Sequence, residues 1–129
     1  MTTLDTFTRA YIEAALWSSM DNTTPAGGEP LDKNYGAEDI AEETLAEMVE
    51  DCCKFQAENA LLFHGCARGS GEYPIEAQAG HDFWLTRNGH GAGFWAGDWP
   101  ETGDALTEAS KEFGEVDLYV GDDGKVWAE

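Results

Sequence analysis

The chain has 129 residues, with 26 Asp and Glu against 7 Lys and Arg, so its formal net charge is −19, and 42% of its residues are hydrophobic, including 5 Trp, 6 Phe and 4 Tyr. That apolar content is enough for a packed core and argues against wholesale disorder, and the length suits one compact domain over residues 1–129. So negative a chain is excluded from direct binding of nucleic acid or of an anionic membrane face, because each contact would crowd like charges instead of releasing counterions.

Asp5 or Thr6 is placed to cap a first helix running to about Ser19, where Phe7, Tyr11, Ala14 and Ala15 recur at spacings of three and four and Leu16 and Trp17 broaden the apolar stripe. Residues 21–36 hold two prolines and a run of turn formers, which predicts a surface loop ending in a short turn at Tyr35 and Gly36. A second helix is expected from about Asp39 to about Leu62, with Leu45, Met48, Val49, Cys52, Phe55 and Leu62 on one arc. Its opposite arc is acidic. Asp39, Glu43, Glu47 and Glu50 fall within roughly 80° of one another, flanked by Glu42, Asp51 and Glu58. Gly65, Gly69 and Gly71 then end the pattern, and residues 64–80 show no sustained period.

Residues 81–86 are rich in aromatic and β-forming side chains, Asn88-Gly89 supplies a tight-turn signal, and Gly93-Phe94-Trp95 can return, which together predict a β-hairpin. Asp98 and Pro100 suit the start of a third helix that carries Leu106, Ala109 and Phe113 inward and stops at Gly114. In a final hairpin, Val116, Leu118 and Val120 alternate with Asp117 and Tyr119, residues 121–124 turn, and Lys125-Val126-Trp127 returns. The expected fold is therefore α+β: a small, mainly antiparallel sheet of two hairpins packed with about three helices.

The stretch His81-Asp82-Phe83-Trp84-Leu85-Thr86-Arg87-Asn88-Gly89-His90-Gly91-Ala92-Gly93-Phe94-Trp95, followed by Phe113-Gly114-Glu115-Val116-Asp117-Leu118-Tyr119-Val120-Gly121-Asp122-Asp123-Gly124, resembles a family of small acidic proteins of unknown function carried by phages, prophages and plasmids. Residues 7–17 and 39–48 share in the resemblance. It brings no catalytic assignment. It implies a gene of mobile elements, where small proteins often act on host machinery or blunt host defence.

Two surfaces are candidates for partner binding. From Glu38 to Asp51 there are 7 acids and no base in 14 residues. As one helix that run spans about 21 Å, with one charge per roughly 3 Å against about one per 1.7 Å in duplex DNA. Such a face fits a basic nucleic-acid channel of a partner, as an acidic DNA mimic does; an ordinary solvated helix face accounts for the same pattern. The second candidate is aromatic. Core packing by a second layer is the first account of Trp84, Tyr119 and Trp127; if one sheet face is left uncovered, they form an exposed patch, and the glycines around His90 could let a partner approach closely. The partner-binding candidates are thus Asp39, Glu42, Glu43, Glu47, Glu50, Asp51, Trp84, His90, Tyr119 and Trp127.

Catalytic and metal chemistry find little support. Cys52, Cys53 and Cys66, with His64, lack the usual zinc-ligand spacing, and no phosphate loop, nucleophile elbow or paired zinc histidines accompany His64, His81 and His90. No catalytic residue, metal or cofactor is assigned. Residues 121–124 are too short for a calcium loop and read as a turn. The odd cysteine count favours a reducing compartment over a disulfide framework, and without a signal-like N-terminus or a run of about 20 apolar residues the expected location is cytoplasmic. The sequence thus points to a non-enzymatic protein that binds and inhibits a host nucleic-acid-acting defence protein. A small metal-dependent enzyme or regulator, and an assembly protein of a mobile element, stand as alternatives.

Overall fold

The structure is a computed structural model and describes residues 5–21, 29–33, 35–59, 75–89, 94, 99 and 103–128. Among the described residues the fold is mostly helical. Four α-helices, α1 (Thr6–Ser18), α2 (Glu42–Asn59), α3 (Ile75–Arg87) and α4 (Gly103–Lys111), accompany two short antiparallel ladders. One ladder pairs β1 (Met20–Asp21) with β2 (Glu29–Pro30), and the other pairs β3 (Leu118–Val120) with β4 (Val126–Ala128). Single 3-10 turns at Leu31–Lys33 and Ala37–Asp39 lead into α2. None of these helices is long and apolar enough to cross a membrane.

Asp5 caps α1 as expected, its carboxylate accepting the Thr8 amide at 2.8 Å. Partial burial would raise the Asp5 carboxyl, but the hydrogen bonds from Thr8 and Gln56 outweigh it and hold it below the usual carboxylate range. In α2, Thr44, Met48, Cys52 and Phe55 are buried while Glu42, Glu43, Glu47 and Glu50 are exposed, the division that a 100° step per residue dictates. The helix is shorter than expected at its start. Residues 37–39 form a 3-10 turn in which Asp39 accepts the Gly36 amide at 2.8 Å, and Ile40 is extended, bridging in parallel to Val126.

The hairpin expected over 81–95 is corrected: residues 81–86 lie inside α3. Ala77, Gln78, Ala79, Gly80 and every residue from Asp82 to Arg87 are buried, so α3 is enclosed on nearly all sides and has no polar stripe to reveal a helical period. Its aromatic and β-branched content imitates a strand. The Asn88-Gly89 signal was sound in conformation, since Gly89 has φ +68°, but that left-handed residue ends a helix instead of turning a hairpin. Gly93, Trp95, Asp98 and Pro100 lie outside the described residues.

The C-terminal hairpin forms about the expected turn, with Leu118 opposite Ala128, Tyr119 opposite Trp127 and Val120 opposite Val126. Gly121 donates to the Lys125 carbonyl at 2.8 Å, and Gly124 takes φ +78° to close the turn. Gly114, at φ +76°, follows α4 near the expected stop. One apolar cluster joins Phe7, Tyr11, Phe55, Phe83, Trp84, Phe94, Trp99 and Leu106 with Val126 and Leu118. At its centre Phe55 stacks on Phe83 with centroids 4.1 Å apart. The main layer is helix on helix, α3 packing chiefly along α1, and the strands cover its edge.

Candidate partner-binding surface

The start of α2 and the last strand meet. Ala41 donates to the Val126 carbonyl at 2.9 Å, and the Ala128 amide donates to the Thr44 hydroxyl at 3.2 Å, so β4 is fastened to the first turn of α2. Trp127 lies between these two tethers. Its indole N–H donates to the Asp123 carboxylate, at 3.1 and 3.3 Å to the two oxygens. A Cβ on Gly121 would stand 2.6 Å from the indole, so glycine there is what lets the ring lie over the turn. The Trp127 indole, with the Lys125 amide, keeps the Asp123 carboxyl below its usual range. Ala41, Glu42, Glu43, Asp123, Lys125 and Trp127 together line a shallow cleft of about 190 Å³.

This cleft unites two of the surfaces read separately from sequence. Glu42 and Glu43 occupy the first turn of α2, where the helix dipole stabilises negative charge, and Glu47 and Glu50 continue the exposed face. Tyr119, paired with Trp127 across the ladder, is 44% exposed. Other candidates fall elsewhere. Asp39 is half-buried in its 3-10 turn, and Asp51 is half-buried in an ion pair with Arg87, Oδ2 to Nη1 2.9 Å, so neither belongs to the free carboxylate row. Trp84 is 1% exposed, crosses Tyr11 edge to face at 5.4 Å and donates its indole N–H to Ser18 Oγ at 2.7 Å; it is core, because α3 is a helix enclosed by its neighbours. His90 lies outside the described residues.

The cysteine and histidine alternative gathers no site among the described residues: no three His, Cys, Asp or Glu side chains there form a group able to hold a metal ion. Cys52 is buried and its thiol is pushed up by that burial, Cys53 is exposed, and His64 and Cys66 lie outside the described residues. His81 Nδ1 stands 3.6 Å from Asp82 Oδ1 on α3. Asp82 itself is occupied by Gln78 Nε2 at 2.9 Å and Trp99 Nε1 at 2.7 Å.

Sequence reading missed Asp123 and Lys125 as members of the cleft, and it missed a groove on α1. Arg9, Glu13 and Trp17 form an exposed ridge there, and Trp17, expected to widen the buried stripe, is 56% exposed. The i, i+4, i+8 spacing of these three residues was the available signal. Comparison with protein-family models, with curated proteins and with solved structures returns no significant match.

Proposed function

We propose that the chain is a non-enzymatic, mobile-element-type protein that binds and inhibits a host nucleic-acid-acting defence protein, a CRISPR effector or a restriction enzyme, by covering its basic nucleic-acid surface. The observation that carries the reading is the docking of β4 on α2, which sets a held indole beside the first carboxylates of an acidic helix face. Glu42, Glu43, Glu47 and Glu50 present four carboxylates along about 12 Å of helix axis, for pairing with Lys and Arg that otherwise hold phosphates. The row is sparser than a duplex backbone. Attraction between opposite fields speeds the encounter, and Trp127 with Tyr119 supplies an apolar contact that salt does not screen. The resemblance to phage and plasmid proteins supports the choice of host target.

The test is capture of partners from a host lysate by the tagged chain, washed in rising salt and read by mass spectrometry. A nucleic-acid enzyme is expected, eluting as salt rises. With that enzyme in hand, E43Q/E47Q/E50Q should weaken binding and flatten its salt dependence, whereas W127A should weaken the salt-resistant part. Unchanged affinity and salt response in the triple variant would remove α2 from the mechanism.

A further inference from the structure

The ridge of α1 carries chemistry that neither the core nor the α2 face uses. Arg9, Glu13 and Trp17 share one exposed face of a helix otherwise largely buried. The Trp17 indole lies beside the His81 imidazole of α3, with ring centroids 6.0 Å apart and planes at 39°. Glu13, Ala14, Trp17, Asp32 and His81 surround a cleft of about 330 Å³. A neighbouring cleft of about 340 Å³, lined by Arg9, Ile12, Leu16 and Tyr35, shares Glu13 and Asp32 with it. Two carboxylates therefore stand where the clefts join. Neither side chain has a hydrogen bond or ion pair among the described residues.

An exposed indole flanked by two carboxylates that are unpaired among the described residues complements a cation with a flat face, and the net charge of −19 draws such a group in. We infer that this cleft receives an arginine side chain presented by a basic protein partner, its guanidinium stacked on Trp17 and its N–H groups donated to Glu13 and Asp32. Arginine fits better than lysine because its planar fork can stack and bridge two carboxylates together, which a compact ammonium cannot. Among the described residues Glu13, Asp32 and His81 do not form a group able to hold a metal ion. The inference rests on the basic partner of the reading above, but it uses none of the α2 carboxylates.

The experiment is a ¹H–¹⁵N NMR titration of the chain with acetyl-Gly-Arg-Gly-amide, and with the same peptide carrying lysine or citrulline in place of arginine. The arginine peptide should move the Trp17 indole and His81 signals, the lysine peptide should move them less, and the uncharged citrulline peptide should leave them in place. Affinity should fall at least about fivefold in E13Q/D32N and in W17A, both at exposed positions that leave the core intact. No shift at Trp17, equal shifts from citrulline or lysine, or shifts confined to α2 would each overturn the assignment. The variant E43Q/E47Q/E50Q separates the two readings: it should reduce capture of the lysate partner while leaving the peptide shifts at Trp17 unchanged. Capture that persists when the peptide does not bind the wild-type chain sinks the α1 site alone.

Discussion

Arg87 ties four parts of the chain together. Its guanidinium is buried and donates to Tyr11 Oη on α1 at 3.0 Å, to Asp51 on α2 at 2.9 Å, and to the carbonyls of Phe113 and Gly114 beyond α4 at 2.9 and 2.8 Å. Two rings, Phe83 and Phe113, lie 5.6 and 5.7 Å from it. Replacing Arg87 with Met should cost about 3–5 kcal/mol in urea denaturation, because a carboxylate, a hydroxyl and two carbonyls lose their donor; Asp51→Asn, at a half-exposed partner, should cost about 1 kcal/mol. The same interior sets an alkaline limit. Burial pushes the Tyr11 hydroxyl above its ordinary value, against the pull of Arg87, and burial likewise raises the Cys52 thiol. Both groups ionise more readily in the unfolded chain, so their contribution is complete below their ordinary values, 10.0 for Tyr11 and 9.0 for Cys52, and is lost as pH climbs above them. The urea midpoint should therefore fall between about pH 8 and about pH 10.5, and Cys52→Ala should remove the part that begins near pH 9. A midpoint level across that range would contradict this account.

At the scale of the element, α1 and α3 cross with almost no space between them. A Cβ on Gly80 would lie 2.1 Å from the Phe7 carbonyl oxygen, a backbone atom that cannot swing aside. Helix propensity favours Gly80→Ala by about 1 kcal/mol. Overpacking opposes it by about 1–3 kcal/mol or more, and at this separation the clash wins. Thermal denaturation should show net destabilisation, whereas a stabilised variant would mean that the helices can part. Asn88 and Gly89 finish α3. The Asn88 amide donates to the Trp84 carbonyl at 2.9 Å, and its oxygen accepts the Val116 amide at 2.7 Å, which ties the end of α3 to the segment ahead of β3. Gly89→Ala puts a Cβ at φ +68° and should cost about 1 kcal/mol, with α3 still formed by circular dichroism.

For the whole molecule the charge of −19 is the governing quantity. Two cations near α2 are engaged elsewhere: Lys54, on the same helix, lies over the Phe113 ring at 5.7 Å, and Arg87 is buried. Self-repulsion opposes the compact state, and salt screens it over a Debye length of about 10 Å at 0.1 M. Raising NaCl should accordingly raise the melting temperature of the free chain while slowing its association with a basic partner. The two responses have opposite signs because salt screens repulsion within the chain and attraction between the chain and a basic protein alike. If salt leaves the melting temperature unchanged, repulsion among these groups is not limiting.

The sequence by itself determined what depends on neighbours a few residues apart: the Asp5 cap, the two faces of α2, the left-handed glycines and the alternation in the last hairpin. These are decided by local sterics and by a period that one solvent-facing side makes visible. Tertiary structure alone decided the identity of α3, because a segment buried all round has no polar face to mark its period, and Gln78, Asp82, Thr86 and Arg87 find their partners inside the fold. It also decided which candidates meet. Glu42 and Trp127 are 85 residues apart in the chain and share a cleft only because Ile40 bridges to Val126, while Trp84 and Asp51, both candidates for partner binding, are claimed by the core and by a buried guanidinium. Exposure is a property of everything that packs against a side chain, and no short window of sequence contains it.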